Sequence, residues 1–522
     1  MQKLTDCLER YAVVSPGKTA LVFGRESHTY LQLSGQVAEL AHLLGEHGLG
    51  KNQTIGIQLP NSDSAVIGLF AIFRSGACAV IFNPLLHPRE VATLSRNSDL
   101  SGMIVTPRQY DLLLPRYLDG SIPSLRKVVI VSEERFSLQK IEIKNFSSEG
   151  SRLPQFAESS DGLSGEDSAL IIYTSGTTGT AKGVVLTHKN LLENSTIAVS
   201  LLDIGAADIA LMTLPMCHVY GLTRQLFPHF LQGATVQLVS SSAPADLLNY
   251  KIDSERITTF SGVPYHFAGM LKRGAGTRYP MRTLRLATSA SMPMKPQLRR
   301  ALVQALPHTK FCCQYGLTEA SGFVTALPHD LFIRKLDSVG RCIPGMEIKI
   351  AASDSEGLLA PNTDGVGELL VRGSGIMKGY YKDPEATAAA INSQGWLRTG
   401  DFARCDADGD VTIITRMNYL IKRAGEFIIP EEVEAIIAGH AAVVEACVFG
   451  IPDKDLGESV RAAVILKETA NEREILDHCR ENLAGFKIPE DVFFTDSLAK
   501  TAGGKMNRKA IVECYLASRH AR

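Results

Sequence analysis

Short apolar runs alternate with longer amphipathic stretches through most of the chain. "TIGIQLP", "GACAVIF", "KVVIVS", "ALIIYTS", "ATVQLVS" and "LRLATS" are continuous apolar segments bounded by turn-forming residues. Runs of this length suit strands buried on both faces, and the helix-length segments between them predict α/β layers with largely parallel strands. The most apolar stretch, "AVIGLFAIFRSGACAVIF", is broken by Arg74, Ser75 and Gly76. It reads as helix, turn and strand rather than a membrane span. Residues 133–167 are polar and rich in Ser and Glu, and predict a surface connection into the strand "ALIIYT".

The pattern changes at "DADGDVTIITRMNYLIKRAGEFIIPEEVEAII". Asp408-Gly409 predicts a hairpin turn, and Pro430 followed by Glu431 and Glu432 predicts a helix start with acids at its positive end. "VVEACVFGI", "RAAVILK" and a helix from Glu472 then complete a compact α+β unit. The predicted division is a large domain over 1–417 and a small one over 418–522.

The chain has 522 residues, which suggests about three folding units at roughly 150 residues each. Its net charge of -1 gives no electrostatic case for nucleic acid. The ten cysteines include no CxxC pair, which fits buried free thiols in a reducing compartment. "MQKLTDCLERYAVV" carries acids and lacks an apolar core of signal-peptide length. A cytoplasmic protein without a membrane span is expected.

One stretch resists any packing role. "YTSGTTGTAK", Tyr173 to Lys182, is too small and hydroxylated to build a core, yet it follows a buried strand directly. Open α/β sheets bind ligands at the carboxyl ends of their strands. Glycines let backbone N–H groups turn inward, hydroxyls add donors and Lys182 adds positive charge, which together suit a polyphosphate. Gly183 follows the lysine, so the GxxxxGK[ST] pattern of P-loop NTPases is absent.

"YTSGTTGTAKGVVLTH" resembles the phosphate-loop signature of the adenylate-forming superfamily: acyl- and aryl-CoA synthetases, peptide-synthetase adenylation domains and luciferases. "QYGLTEASG", "GWLRTGDFA", "RMNYLIKRAGEFIIPEEVE" and "GGKMNRKA" follow in the family order, over almost the whole chain. The resemblance implies a large domain of layered α/β subdomains and a small mobile α+β domain. It implies attack of a carboxylate on the α-phosphate of ATP, giving acyl-AMP and pyrophosphate, then displacement of AMP by a thiol. ATP, Mg²⁺ and coenzyme A are the implied cofactors, while Gln314, where many relatives carry glycine, and Tyr220 point to an aryl or short- to medium-chain acid.

By the same resemblance, Thr174, Ser175, Gly176, Thr177, Thr178, Gly179 and Lys182 cradle the β- and γ-phosphates. Ala181 stands where proline is frequent in the family. Tyr315 stacks on adenine, flanked by Gln314, Gly316 and the backbone of Ser289, Ala290 and Ser291. Thr318 meets the α-phosphate, and Glu319 holds Mg²⁺, a hard cation that takes carboxylate oxygens. Asp401, read from "RTGD" as lying in a Gly-bearing turn, binds the ribose hydroxyls with Arg416 assisting. Lys505 is the implied catalytic lysine, replaced after a swing about Asn418 by the loop of Gly425, Glu426 and Phe427.

His218, Tyr220, Gly262, Val263 and Gln314 are the implied acid-binding residues, with Tyr265 and His266 as further wall. Cys217-His218 offers no aspartate for an α-ammonium, so an amino acid substrate is not expected. A stand-alone ligase loading a carrier-protein phosphopantetheine is the alternative, and an acyl carrier protein partner and a homodimer both stay open. The C-terminal "SRHAR" lacks the peroxisomal signal frequent in luciferase-like relatives. Joint retention of Lys505, Glu319 and Asp401 speaks against a binding module without catalysis.

Overall fold

The structure is a computed structural model. It describes residues 2–131, 136–137, 141–145, 163–175, 181–353, 359–361, 365–424, 426–454, 456–500 and 506–520. The chain divides into two compact units, one of 1–348 with 371–397 and one of 349–370 with 398–522.

The first unit is built on two large mixed sheets. In the eight-stranded sheet, Thr54–Gln58, Cys78–Ile81, Leu100–Val105, Lys127–Ile130 and Ser168–Ser175 run parallel, and antiparallel strands close its edges. Four of the apolar runs read from sequence, "TIGIQLP", "GACAVIF", "KVVIVS" and "ALIIYTS", are strands of this sheet, and "ATVQLVS" and "LRLATS" are strands of the other. The helix Asp63–Ser75 ends at Gly76, whose φ of 79° is the left-handed cap that lets the chain turn at once into Cys78–Ile81. No described helix is long and apolar enough to cross a membrane.

In the nine-stranded sheet, Ile209–Met212, Thr259–Gly262, Leu286–Ser289 and Lys310–Tyr315 are adjacent and parallel. One face of these strands packs Phe260, Ala287, Phe311 and Cys313 into an apolar cluster with the helices Ala245–Ser254, Pro264–Lys272 and Pro296–Ala305.

In the second unit, Val443–Asp453 and Gly457–Leu466 form a long hairpin. The helices Pro430–Ala438 and Glu472–Asn482 cover it, through a core that includes Ile428, Val433, Ile437, Val460 and Ile475. Pro430 occupies the first turn of its helix, with Glu431 and Glu432 beside it, as the sequence predicts.

One reading needs correction. The segment 133–167 is more than a connection, because Glu142–Asn145 pairs antiparallel with Lys127–Ile130. Its polar residues offer no apolar alternation to reveal an edge strand. The division into compact units falls inside strands, so Leu397–Cys405 and its partner Val411–Arg416 keep most of their ladder in the second unit.

Candidate active site

Four adjacent parallel strands end where the sequence motifs begin. Ile209–Met212 runs toward His218 and Tyr220, Thr259–Gly262 ends at Gly262 and leads into Val263, Leu286–Ser289 leads into Ala290 and Ser291, and Lys310–Tyr315 leads into Gly316, Thr318 and Glu319. Parallel strands bring their carboxyl ends to one rim, so residues scattered over a hundred positions share an edge. Ser291 takes a left-handed backbone with φ 71°. Gly316 is required by close approach: a Cβ there would lie 2.3 Å from the Gly322 carbonyl oxygen.

On the other large sheet, Ser168–Ser175 returns as Ala181–Thr187, with Thr174 opposite Lys182 in the ladder. Gly176, Thr177, Thr178 and Gly179 lie outside the described residues, as do Gly425 and Lys505. The edge strand Gly379–Tyr380 pairs with Ala181–Thr187, Tyr380 opposite Val184. This sets the Lys182 ammonium 4.9 Å from the Tyr380 ring centroid, within cation–π range. The Tyr380 hydroxyl donates to Glu319 Oε1 at 3.2 Å. Lys182 and Glu319 are thereby joined through one phenol that sequence reading missed. Burial, then the neighbouring Glu319 charge, raises the Tyr380 pKa, so the hydroxyl stays protonated.

Glu319 sits in the turn Thr318–Ala320, its backbone carbonyl accepting from Met377 N–H at 2.8 Å. Its Oε2 accepts no hydrogen bond from the described residues. A half-exposed carboxylate with one oxygen held and one clear suits a hard divalent cation.

The residues expected to bind the acid assemble in part. Tyr220, Leu214 and Ala290 form a small apolar cluster with Val263 against it. The buried Tyr220 hydroxyl lies 3.1 Å from Thr288 Oγ1 and 3.5 Å from the Gly262 carbonyl. His218 is exposed just before the helical turn Val219–Gly221, so it is not a core histidine. Gln314 is buried, and its side chain's one hydrogen bond among the described residues is a long contact from Nε2 to Cys312 Sγ at 3.9 Å. Its Oε1 has no hydrogen-bond partner among the described residues.

Tyr265 and His266 do not extend this wall as expected. Tyr265 is 77% exposed, and His266 Nδ1 accepts the Val263 N–H at 3.2 Å, closing the start of its own helix.

Asp401 and Arg416 belong to the second unit and face each other across the hairpin. Arg416 Nε lies 2.7 Å from Asp401 Oδ1. Asp401 is therefore a buried strand residue rather than a turn cap. Gly400 does have a left-handed φ of 68°, as a turn glycine would, but Leu397–Cys405 continues through it. Arg398, part-exposed, holds the buried Glu368 at 2.8 Å, and Glu368 Oε1 accepts the Gly400 N–H, bracing the residue before Asp401. The sequence held no signal for that brace. Glu426 and Phe427 lie on the strand Glu426–Ile428, with Phe427 exposed.

A sequence profile described as AMP-binding enzyme matches residues 8–381, and one described as AMP-binding enzyme C-terminal domain matches 432–505. The chain is 31% identical to the putative acyl-CoA synthetase YngI of Bacillus subtilis strain 168, over 97% of this chain and 96% of the relative. It is equally 31% identical to a long-chain-fatty-acid–CoA ligase of that organism, over 98% and 93% of the two chains. Among solved structures, ATP-bound MatB from Rhodopseudomonas palustris matches with a TM-score of 0.85 at 26% identity, covering 99% of each chain.

Proposed function

The chain belongs to the AMP-binding enzyme family, as an enzyme of its AMP-forming acid–CoA ligase group, and on that basis we propose how its residues divide the reaction. A carboxylic acid attacks the α-phosphate of ATP, releasing pyrophosphate and leaving acyl-AMP. The thiol of coenzyme A then attacks the acyl carbon, forming the thioester and releasing AMP.

Lys182 and the loop before it hold the β- and γ-phosphates, and Thr318 meets the α-phosphate. Glu319 holds Mg²⁺, which when bound offsets phosphate charge. Tyr315 and the 289–291 backbone flank adenine, while Asp401 and Arg416 take the ribose. His218 stands at the carboxylate, and Lys505 supplies positive charge to the adenylation step. Fixed charges aimed at developing charge are the main catalytic resource of such a site. The observation that supports this reading most is the Lys182–Tyr380–Glu319 chain, which joins the phosphate lysine to the metal carboxylate.

Identity does not select the acid, since relatives named for a long-chain fatty acid and for 4-coumarate match this chain at 31% and 29%. Buried Gln314 with an unpaired Oε1, and Tyr220 tied to Thr288, favour a compact acid with a polar substituent over a long alkyl tail. A buried unpaired amide oxygen costs about 1–3 kcal/mol, which a substrate donor would offset.

The test is pyrophosphate release over short, aryl and fatty acids, with and without coenzyme A. Acid-dependent release with thioester formed only when coenzyme A is present is expected. Acyl-AMP that accumulates despite coenzyme A would point to a carrier-protein thiol, and no acid-dependent release would sink the ligase assignment. Lys505→Ala should slow acyl-AMP formation by about 10²-fold or more, the scale of a lost electrostatic donor. Thioester formation from supplied acyl-AMP should change far less. Equal loss in both half-reactions, with the fold intact, would remove Lys505 from the adenylation role.

A further inference from the structure

The helical segment after Tyr220 covers the face of the nine-stranded sheet opposite its apolar cluster, and the seam between them is polar. Thr288 and Ser261 hydroxyls are hydrogen-bonded at 2.8 Å, and Cys312 and Gln314 occupy the same face of the next strand. Opposite them the helix widens by one residue, with Phe227 N–H donating to the Leu222 carbonyl five positions back. Such widenings give up regular hydrogen bonding and recur at functional sites.

Arg224 lies inside that widened turn and is 1% exposed. Nη1 donates to the Thr223 carbonyl, Nη2 donates to Asn194 Oδ1 at 2.9 Å, and the guanidinium lies 3.9 Å over the Phe323 ring. Among the described residues its Nε–H has no acceptor and no carboxylate pairs with it. The ionisable neighbours are Tyr220 and Cys312, and burial raises both, the thiol to about 12, so each is neutral at pH 7. Burial pushes Arg224 down to about 9, which still leaves it charged at that pH.

A buried cation held only by neutral groups is costly, and buried charges are ordinarily paired. An arginine kept simply to fasten the helix would be expected to find a carboxylate or to spend every N–H on a carbonyl. Here Tyr220, the buried ionisable residue expected to wall the acid site, stands four positions before Arg224 on the same helical segment and is its electrostatic neighbour. Gln314, the other buried polar group of that site, contacts Cys312, its second neighbour.

We propose that Arg224 is a specificity-determining residue that recognises a second carboxylate at the far end of the substrate acid. The inference rests on the ligase reading and narrows its substrate to acids with an anionic tail. Guanidinium–carboxylate pairs are the stronger, charge-assisted kind of hydrogen bond, so an anionic tail completes what the protein leaves unpaired.

The test uses the full-length enzyme and matched acids. Straight-chain dicarboxylates from malonate to suberate are compared with monocarboxylates of equal carbon number, and terephthalate with 4-methylbenzoate. The readout is kcat/KM for acid-dependent pyrophosphate release. The wild type should favour the dicarboxylate of at least one pair by about 10²-fold, the scale of a charge-assisted pair formed out of water. Arg224→Met should reduce that ratio to about 1 or below, chiefly through KM, and Arg224→Lys should retain part of the preference, because only the first removes the charge.

A wild type that favours the methyl-ended acid in every pair overturns the proposal, whether or not the variants fold. So does a dicarboxylate preference that survives Arg224→Met. If no acid of either kind releases pyrophosphate, the ligase reading itself falls and the inference goes with it, an outcome distinct from activity with uncharged acids alone.

Discussion

Tyr380 carries two contacts that can be separated by substitution. Tyr380→Phe removes the hydroxyl that donates to Glu319 but keeps a ring under Lys182. It should lower kcat/KM for acid activation by about 10-fold, the loss of one hydrogen bond to a charged group, and raise the Mg²⁺ concentration needed for half-maximal rate. Tyr380→Ala should cost more, since a cation–π contact is worth about 0.5–2 kcal/mol. An unchanged Mg²⁺ requirement in the Phe variant would detach Tyr380 from the carboxylate's role. At Gln314, replacement by Gly should admit longer acids, measured as kcat/KM for hexanoate and palmitate, and wild-type preference for palmitate would refute the compact-acid reading. Lys182, Glu319 and Gln314 could be read from sequence because each sits in a motif. Tyr380 could not: "KGYYKD" says nothing about phosphate, and its place comes from pairing with Val184, a contact made only by folding.

Strands and their order of use were visible in the apolar runs, because burial on both faces leaves little choice of residue. Pairing partners were not, which is why Asp401 read as a turn residue and proved to be buried opposite Arg416. Nor did the sequence show the widened helix at Leu222–Leu226, whose residues would suit an ordinary helix equally well. That helix carries a pH dependence further along. His229 Nδ1–H donates to the Gln225 carbonyl at 2.7 Å, so its Nε2 must accept from Thr259 Oγ1 at 2.8 Å. Burial lowers His229 to about 4, and His188 likewise. Below their ordinary 6.5 the unfolded chain binds protons that the native chain refuses, so stability is full above that pH and drains toward pH 4. Each histidine contributes a slope of about 1.4 kcal/mol per pH unit in that window. Urea midpoints at pH 7 and pH 5 measure it, and His229→Gln should remove about half of the histidine contribution. In the turn after Tyr315, Gly316→Ala would press a Cβ against Gly322 backbone, which cannot swing aside. A loss of about 1–3 kcal/mol, with weakened ATP binding, is expected.

For the whole molecule, the second unit holds the residues proposed to alternate. Asn418 lies in the turn Met417–Tyr419, and the Tyr419 ring sits 5.1 Å from the Arg508 guanidinium. Arg508 in turn is paired with Glu431 and Glu434 of the helix Pro430–Ala438. The proposed hinge is thus followed by a tied assembly, suited to turning as one piece. Asn418→Pro fixes φ near -65° and should leave one half-reaction while suppressing the other. Wild-type rates in both would place the pivot elsewhere.

The cysteines give such experiments an unplanned handle. All ten are free, seven are buried, Cys342 and Cys405 are half-covered, and Cys514 on the helix Arg508–His520 is exposed. Thiolate, not thiol, reacts with alkylating reagents, so burial acts as a lock. A maleimide dye should therefore take up one equivalent quickly, at Cys514, and reach ten only when the chain opens. The same chain supplies a single attachment point for a reporter on its C-terminal unit and, through the late equivalents, a clock for its own unfolding.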